Sequence, residues 1–130
     1  MENRRVVVDT SIIIDFLRSH DKQKTVLFEL ATTASMSISV ITLYELLMGA
    51  KDEKKLDDIS IILNGMTILS FDKDIAYRAG EIYHQLRKNN KLIEFRDIFI
   101  GATALTYQLP ISTKNIKHFS RIPELEIYEL

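Results

Sequence analysis

The stretch VVVDTSIIIDFL, residues 6–17, decides the fold class. Three β-branched valines in a row read as a strand buried on both faces, and the run stops at Asp9. Thr10 and Ser11 are capping residue types, and Ile12, Ile13, Phe16 and Leu17 then recur on one helical face. A buried strand that hands over directly to a helix therefore places an acid at the strand's C-terminal tip.

The same alternation continues along the chain. Val26 to Ala31 reads as part of a second helix and Met36 to Ile41 as a second strand. Thr42, three residues before Glu45, predicts a capping box that opens a helix carrying Leu43, Leu46, Leu47 and Met48 and ending near Gly49. Leu56, Ile59, Ile62 and Leu63 make another amphipathic helix. Met66 to Phe71 reads as a third strand, and Asp72 caps a long helix through Ile75, Ala76, Ala79, Ile82, Tyr83 and Leu86. After the polar loop Arg87 to Lys91, Asp97 begins IFIGATALTYQL, a helix apolar almost all round that ends before Pro110. Ile111 to Thr113 reads as a fourth strand and Ile127 with Tyr128 as a short edge strand. Strands alternating with helices predict an α/β fold around a mainly parallel sheet of four to five strands, in one domain over residues 1–130.

Composition narrows the function classes. The 130 residues include 46% hydrophobic residues, 4 Gly and 2 Pro, which excludes collagen-like, low-complexity and disordered chains. Cysteine is absent, which excludes thiol nucleophiles and Cys-ligated zinc and fits a reducing compartment. The valine run is broken at Asp9, so neither a signal peptide nor a membrane span is expected. Seventeen Lys and Arg against 18 Asp and Glu leave a net charge of −1 and no global field for a polyanion. Locally, no acid occurs from Ile98 through Pro123, where Lys114, Lys117 and Arg121 make a basic strip.

Sites in parallel sheets form beyond the C-terminal ends of the strands. Asp9 and Thr113 are expected at strand ends, with Glu45 and Asp97 at helix starts on the same edge. Each acid alone reads as a cap or as a partner of a helix dipole. Together, three carboxylates in one cleft repel one another unless a cation neutralises them, and an oxygen-only set suits Mg²⁺ or Mn²⁺ rather than zinc. Other chemistries lack their residues: Gly49, Gly65, Gly80 and Gly101 are isolated, so there is no phosphate-cradling loop. Ser11 has no catalytic base marked by the spacing of His20, His84 or His118.

Four segments in order, VVVDTSIIIDFL, SISVITLYELLMG, FRDIFIGATAL and ISTKNIKHFSRIP, resemble the signature blocks of PIN-domain ribonucleases, and among these the VapC toxins of bacterial and archaeal toxin–antitoxin pairs. The resemblance runs from Val6 to Pro123. It implies a three-layer α/β/α sandwich, a homodimer, a cognate antitoxin and a cytoplasmic endoribonuclease. By the same resemblance, Asp9, Glu45 and Asp97 bind Mg²⁺ or Mn²⁺ for hydrolysis of RNA to 5′-phosphate and 3′-hydroxyl ends. Thr10 and Thr113 would support the ligands, and Lys114, Lys117 and Arg121 would meet RNA phosphates. The chain departs from the pattern in its fourth block, where Asn115 stands in place of a further acid, and His118 precedes Phe119 where Asp is common. Asn115 can still hydrogen-bond a ligand or water but subtracts a charge, which leaves open a catalytically weak PIN-like module that binds RNA or protein without cutting. A receiver-type phosphoacceptor domain, with Asp9 as acceptor and Lys114 as its lysine, fits the order of the blocks less well.

Overall fold

β1 (Arg4–Val8) lies inside a four-stranded, all-parallel sheet of order β3-β2-β1-β4, formed with β2 (Ala34–Ser39), β3 (Thr67–Leu69) and β4 (Ile111–Ser112) in this computed structural model, which describes residues 4–130. Met1 to Asn3, the start of the expected domain, lie outside the described residues. The three buried valines divide the molecule into layers because successive side chains of a strand point to opposite faces. Val6 and Val8 join a cluster with Ile12 and Ile13 of α1 (Thr10–Arg18), Leu27 and Leu30 of α2 (Val26–Thr33), Leu46 of α3 (Val40–Gly49) and Ile59 of α4 (Glu53–Leu63). Val7 packs on the other face with Ile75, Ala79, Ile82 and Leu86 of α5 (Lys73–Lys88) and Ile98 and Ile100 of α6 (Phe95–Thr106). This is the expected α/β/α sandwich.

The boundaries differ from the sequence expectation where a better cap was available. Ser39, not Thr42, caps α3: its Oγ accepts the Thr42 N–H at 3.0 Å, so β2 ends at Ser39 and Thr42 is the third helical residue. The Thr42–Glu45 capping box therefore does not form, and Glu45 is not used at the helix start. Thr10 and Ser11 likewise lie inside α1, whose N-cap is Asp9 without a side-chain cap bond. Asp97 is the third residue of α6, behind Glu94 and Phe95. The C-terminus of α6 closes early, at Thr106, where Gln108 at φ 58° turns the chain so that the Leu109 N–H reaches the Ala104 carbonyl. The third strand is only Thr67–Leu69, and the expected edge strand is one parallel bridge, Ile127 to Ile111.

Two short helical segments went unanticipated, the 3-10 turn Lys22–Lys24 and a single turn after β4. α7 (Ile116–Phe119) is too brief for a periodic signal, yet its Phe119 is fully buried in the Val7-side cluster and anchors the segment after β4. Nearby, α6 passes so close to Ile122 that a Cβ at Gly101 would run into Ile122 Cδ1. Among the described residues, no helix is long and apolar enough to cross a membrane.

Candidate active site

The hydrogen bond from the Asp9 N–H to the Ser112 carbonyl, 2.9 Å, sets the ends of β1 and β4 side by side. Asp9 is only 2% exposed, so its carboxylate needs donors, and it finds two. Ser11 Oγ donates to Asp9 Oδ2 at 2.6 Å and Thr113 Oγ1 donates to the same oxygen at 2.7 Å. Each hydroxyl also accepts a backbone N–H from the loop after β4, Ser11 from Lys114 at 3.1 Å and Thr113 from Asn115 at 2.9 Å. The loop is thus laced to the start of α1 through one carboxylate, with both side-chain bonds on Oδ2.

Glu45 reaches the same edge from the second turn of α3. Thr10 donates its hydroxyl to Glu45 Oε1 at 2.8 Å and lies 2.9 Å from the Thr42 hydroxyl. The other oxygen, Oε2, accepts from Arg96 Nη1 at 3.3 Å, while Arg96 Nη2 donates to Glu94 Oε2 at 2.7 Å. Asp97, the next residue, stands 3.6 Å from His118 Nδ1. Burial, and then the negative Asp9, push the Asp97 carboxyl above the ordinary carboxylate range, with His118 opposing the shift.

A carboxyl whose pKa is raised by folding favours the folded state when protonated and costs stability once ionised. Asp97→Asn is therefore expected to raise the melting temperature of metal-free protein at pH 7. The gain should shrink as pH falls and the wild-type carboxyl takes up its proton. Thermal melts from pH 4 to pH 8 check this, and an Asn variant less stable than wild type at neutral pH would contradict it.

Other expected residues are placed less centrally. Asn115 is exposed, makes no side-chain cap to α7 and is tied in through its backbone N–H. Lys114 forms an ion pair with Asp15 at 3.2 Å, and Arg121 Nη1 donates to the Leu92 carbonyl at 3.1 Å. Lys117 is exposed on α7. Arg96 was missed by sequence reasoning, although a cation in the first turn of a helix, unfavourable against the dipole, was a signal that it must pair elsewhere.

The donor chemistry suits a hard divalent cation: three carboxylates, one of them pushed upward by burial and by a neighbour, with hydroxyls fixing one oxygen each of Asp9 and Glu45. The ligand set is not closed, however. Among the described residues no group of three or more His, Asp or Glu side chains is gathered tightly enough, as it stands, to hold a metal ion.

A family profile described as PIN domain matches residues 6–125. Ribonuclease VapC1 of Methanocaldococcus jannaschii is 35% identical over 130 residues, covering 98% of this chain and 90% of that protein. Ribonuclease VapC of Rickettsia bellii is 39% identical over 129 residues, covering 94% and 93%. Among solved structures, VapBC2 from Rickettsia felis bound to a DNA fragment from its promoter matches with a TM-score of 0.85 at 27% identity, covering 95% of this chain and 97% of that one. DNA-bound VapBC from Salmonella typhimurium matches with a TM-score of 0.84 at 27% identity and 98% coverage of both chains.

Proposed function

The chain belongs to the PIN-domain family, and from that premise we propose that it is a Mg²⁺- or Mn²⁺-dependent endoribonuclease, the toxin of a toxin–antitoxin pair. The observation that carries this is the linkage of acids from three separate pieces of chain: Asp9 ends β1, Thr10 beside it bonds Glu45, and Asp9 is near enough to Asp97 for its charge to push that carboxyl upward. Relatives named as VapC ribonucleases and a neighbour solved as a VapBC complex support both the activity and an antitoxin partner.

Asp9, Glu45 and Asp97 would hold the cation, which when bound supplies an acidified water and a counter-charge for the phosphodiester. The protein's own work is positional. Ser11 and Thr113 fix Asp9, Thr10 fixes Glu45, and the low exposure of Asp9 keeps its charge from being spent on bulk water. Lys117, exposed on α7, is the member of the basic strip best placed to meet an RNA phosphate, since Lys114 and Arg121 already have partners.

A cleft of about 400 Å³ lined by Leu17, Leu46, Ala50 and Ile59 runs up to Glu45 between α1, α3 and α4. Tyr44, Leu47 and Met48 are exposed on α3, as are Leu56 and Ile61 on α4. Apolar surface of this kind supports protein contacts, here with an antitoxin and, in a homodimer, with a second copy of the chain. An RNA substrate and the absence of cysteine fit a cytoplasmic site of action.

Incubating purified protein with labelled RNA, with and without Mn²⁺, tests the proposal: shortened products are expected only with the metal. RNA retained but uncut under both conditions would favour the non-cutting module. Mn²⁺ at a hundred times its dissociation constant should also stabilise the fold by about 2.7 kcal/mol. Asp97→Asn should shrink that shift, and a wild-type melting curve unmoved by millimolar Mn²⁺ would count against the site.

A further inference from the structure

Arg96 bridges two carboxylates unequally. Its bond to the exposed Glu94 is short, 2.7 Å, in the range of a strong charge-assisted pair, whereas its bond to Glu45 is 3.3 Å, beyond that range. The Glu45 side chain is much the more buried of the two, and its other oxygen is fixed by Thr10. Arg96 therefore supplies the positive charge that Glu45 otherwise lacks in metal-free protein. A second cation at Glu45 Oε2 would stand within a few ångströms of the guanidinium and be repelled by it.

Resting on the metal site proposed above, the geometry points to Arg96 as a positioning residue that neutralises Glu45 in the metal-free protein and competes with the divalent cation for it. Glu45 exchanges one cation for the other, and the shorter bond to Glu94 retains Arg96 at the rim once Glu45 is released. The three acids are consequently not gathered around a ready-made site, in keeping with their spacing. Glu94 has the opposite effect on metal binding from Arg96, because it draws the guanidinium away from Glu45.

Mn²⁺ binding followed by the electron paramagnetic resonance of the free ion tests this without reference to RNA cleavage. The proteins are wild type, Arg96→Gln, Arg96→Lys, Glu94→Gln, the Glu94→Gln/Arg96→Gln double variant and Asp97→Asn, at one ionic strength and with folding checked by far-UV circular dichroism. Arg96→Gln is expected to tighten Mn²⁺ binding about tenfold, and Arg96→Lys to tighten it too, because an ammonium lacks the fork that spans both carboxylates. Glu94→Gln should weaken binding about threefold when Arg96 is present and leave it unchanged in the Arg96→Gln background. An Arg96→Lys protein that titrates like wild type would reduce the effect to net charge and overturn the proposal. Weaker binding in both Arg96 variants, or a Glu94→Gln loss of equal size in both backgrounds, would overturn it as well. Mn²⁺ binding by wild type that Asp97→Asn abolishes upholds the metal site whatever Arg96 does, whereas no binding by any of the proteins would overturn that site and the competition together.

Discussion

Asp97→Asn protein is expected to cleave RNA about a thousandfold more slowly than wild type, or not at all, with its far-UV spectrum and oligomer size unchanged. Asparagine keeps the shape of the side chain and removes only the charge that a cation would need. Asp97 is also the safest acid to change, because its ionised form costs the metal-free fold stability rather than supplying it. Asp9→Ala is a harsher test. The Ser11 and Thr113 hydroxyls would lose their shared acceptor in a buried setting, at a cost of about 1–3 kcal/mol, so lost cleavage there would mix chemistry with damage to the loop after β4. A purely capping role for Asp97 predicts the reverse pattern for its Asn variant, a stability loss of about 1 kcal/mol with cleavage intact. Initial rates on one labelled RNA, beside melting curves of the same samples, separate the two.

The second large effect concerns Asn115. Its backbone N–H holds Thr113 Oγ1, and that bond survives any side-chain change, so substitutions here isolate the amide group itself. If the amide orients a ligand or water, Asn115→Ala should slow cleavage about 10- to 100-fold. Asn115→Asp should be tolerated, with tighter metal binding and lower stability without metal, since a fourth carboxylate repels the other three. Should wild type bind RNA without cutting it, Asn115→Asp would instead create metal-dependent cleavage. The check is a metal titration of cleavage rate for wild type and both variants, and three superimposable curves would place the Asn115 side chain outside the site.

Much of this arrangement was legible in the sequence because it depends on periodicity and order. The valine run fixed β1 and its layers and put Asp9 at the strand's end, whereas Glu45, expected at a helix start, sits in the second turn of α3 and Asp97 in the first turn of α6. What stayed hidden depends on choices between neighbours or on distant pairs. Ser39 outcompetes Thr42 as a cap, and nothing in a window of a few residues ranks the two. Arg96 and Glu45 are 51 residues apart, so their ion pair follows only from the packing of α3 beside α6. The partners of the basic strip stayed hidden for the same reason: Lys114 and Arg121 are close in sequence to Lys117, but they pair with Asp15 and the Leu92 carbonyl, far away along the chain.

The central claim is that these carboxylates serve metal-assisted attack of water on an RNA phosphodiester. Its most direct measurement is analysis of the product ends after Mn²⁺-dependent cleavage in water enriched in ¹⁸O. The account predicts 3′-hydroxyl ends and 5′-phosphates that carry one ¹⁸O from solvent. Ends bearing a 2′,3′-cyclic phosphate, with no ¹⁸O in the 5′ fragment's partner, would mean that the RNA's own 2′-hydroxyl is the nucleophile and would contradict it.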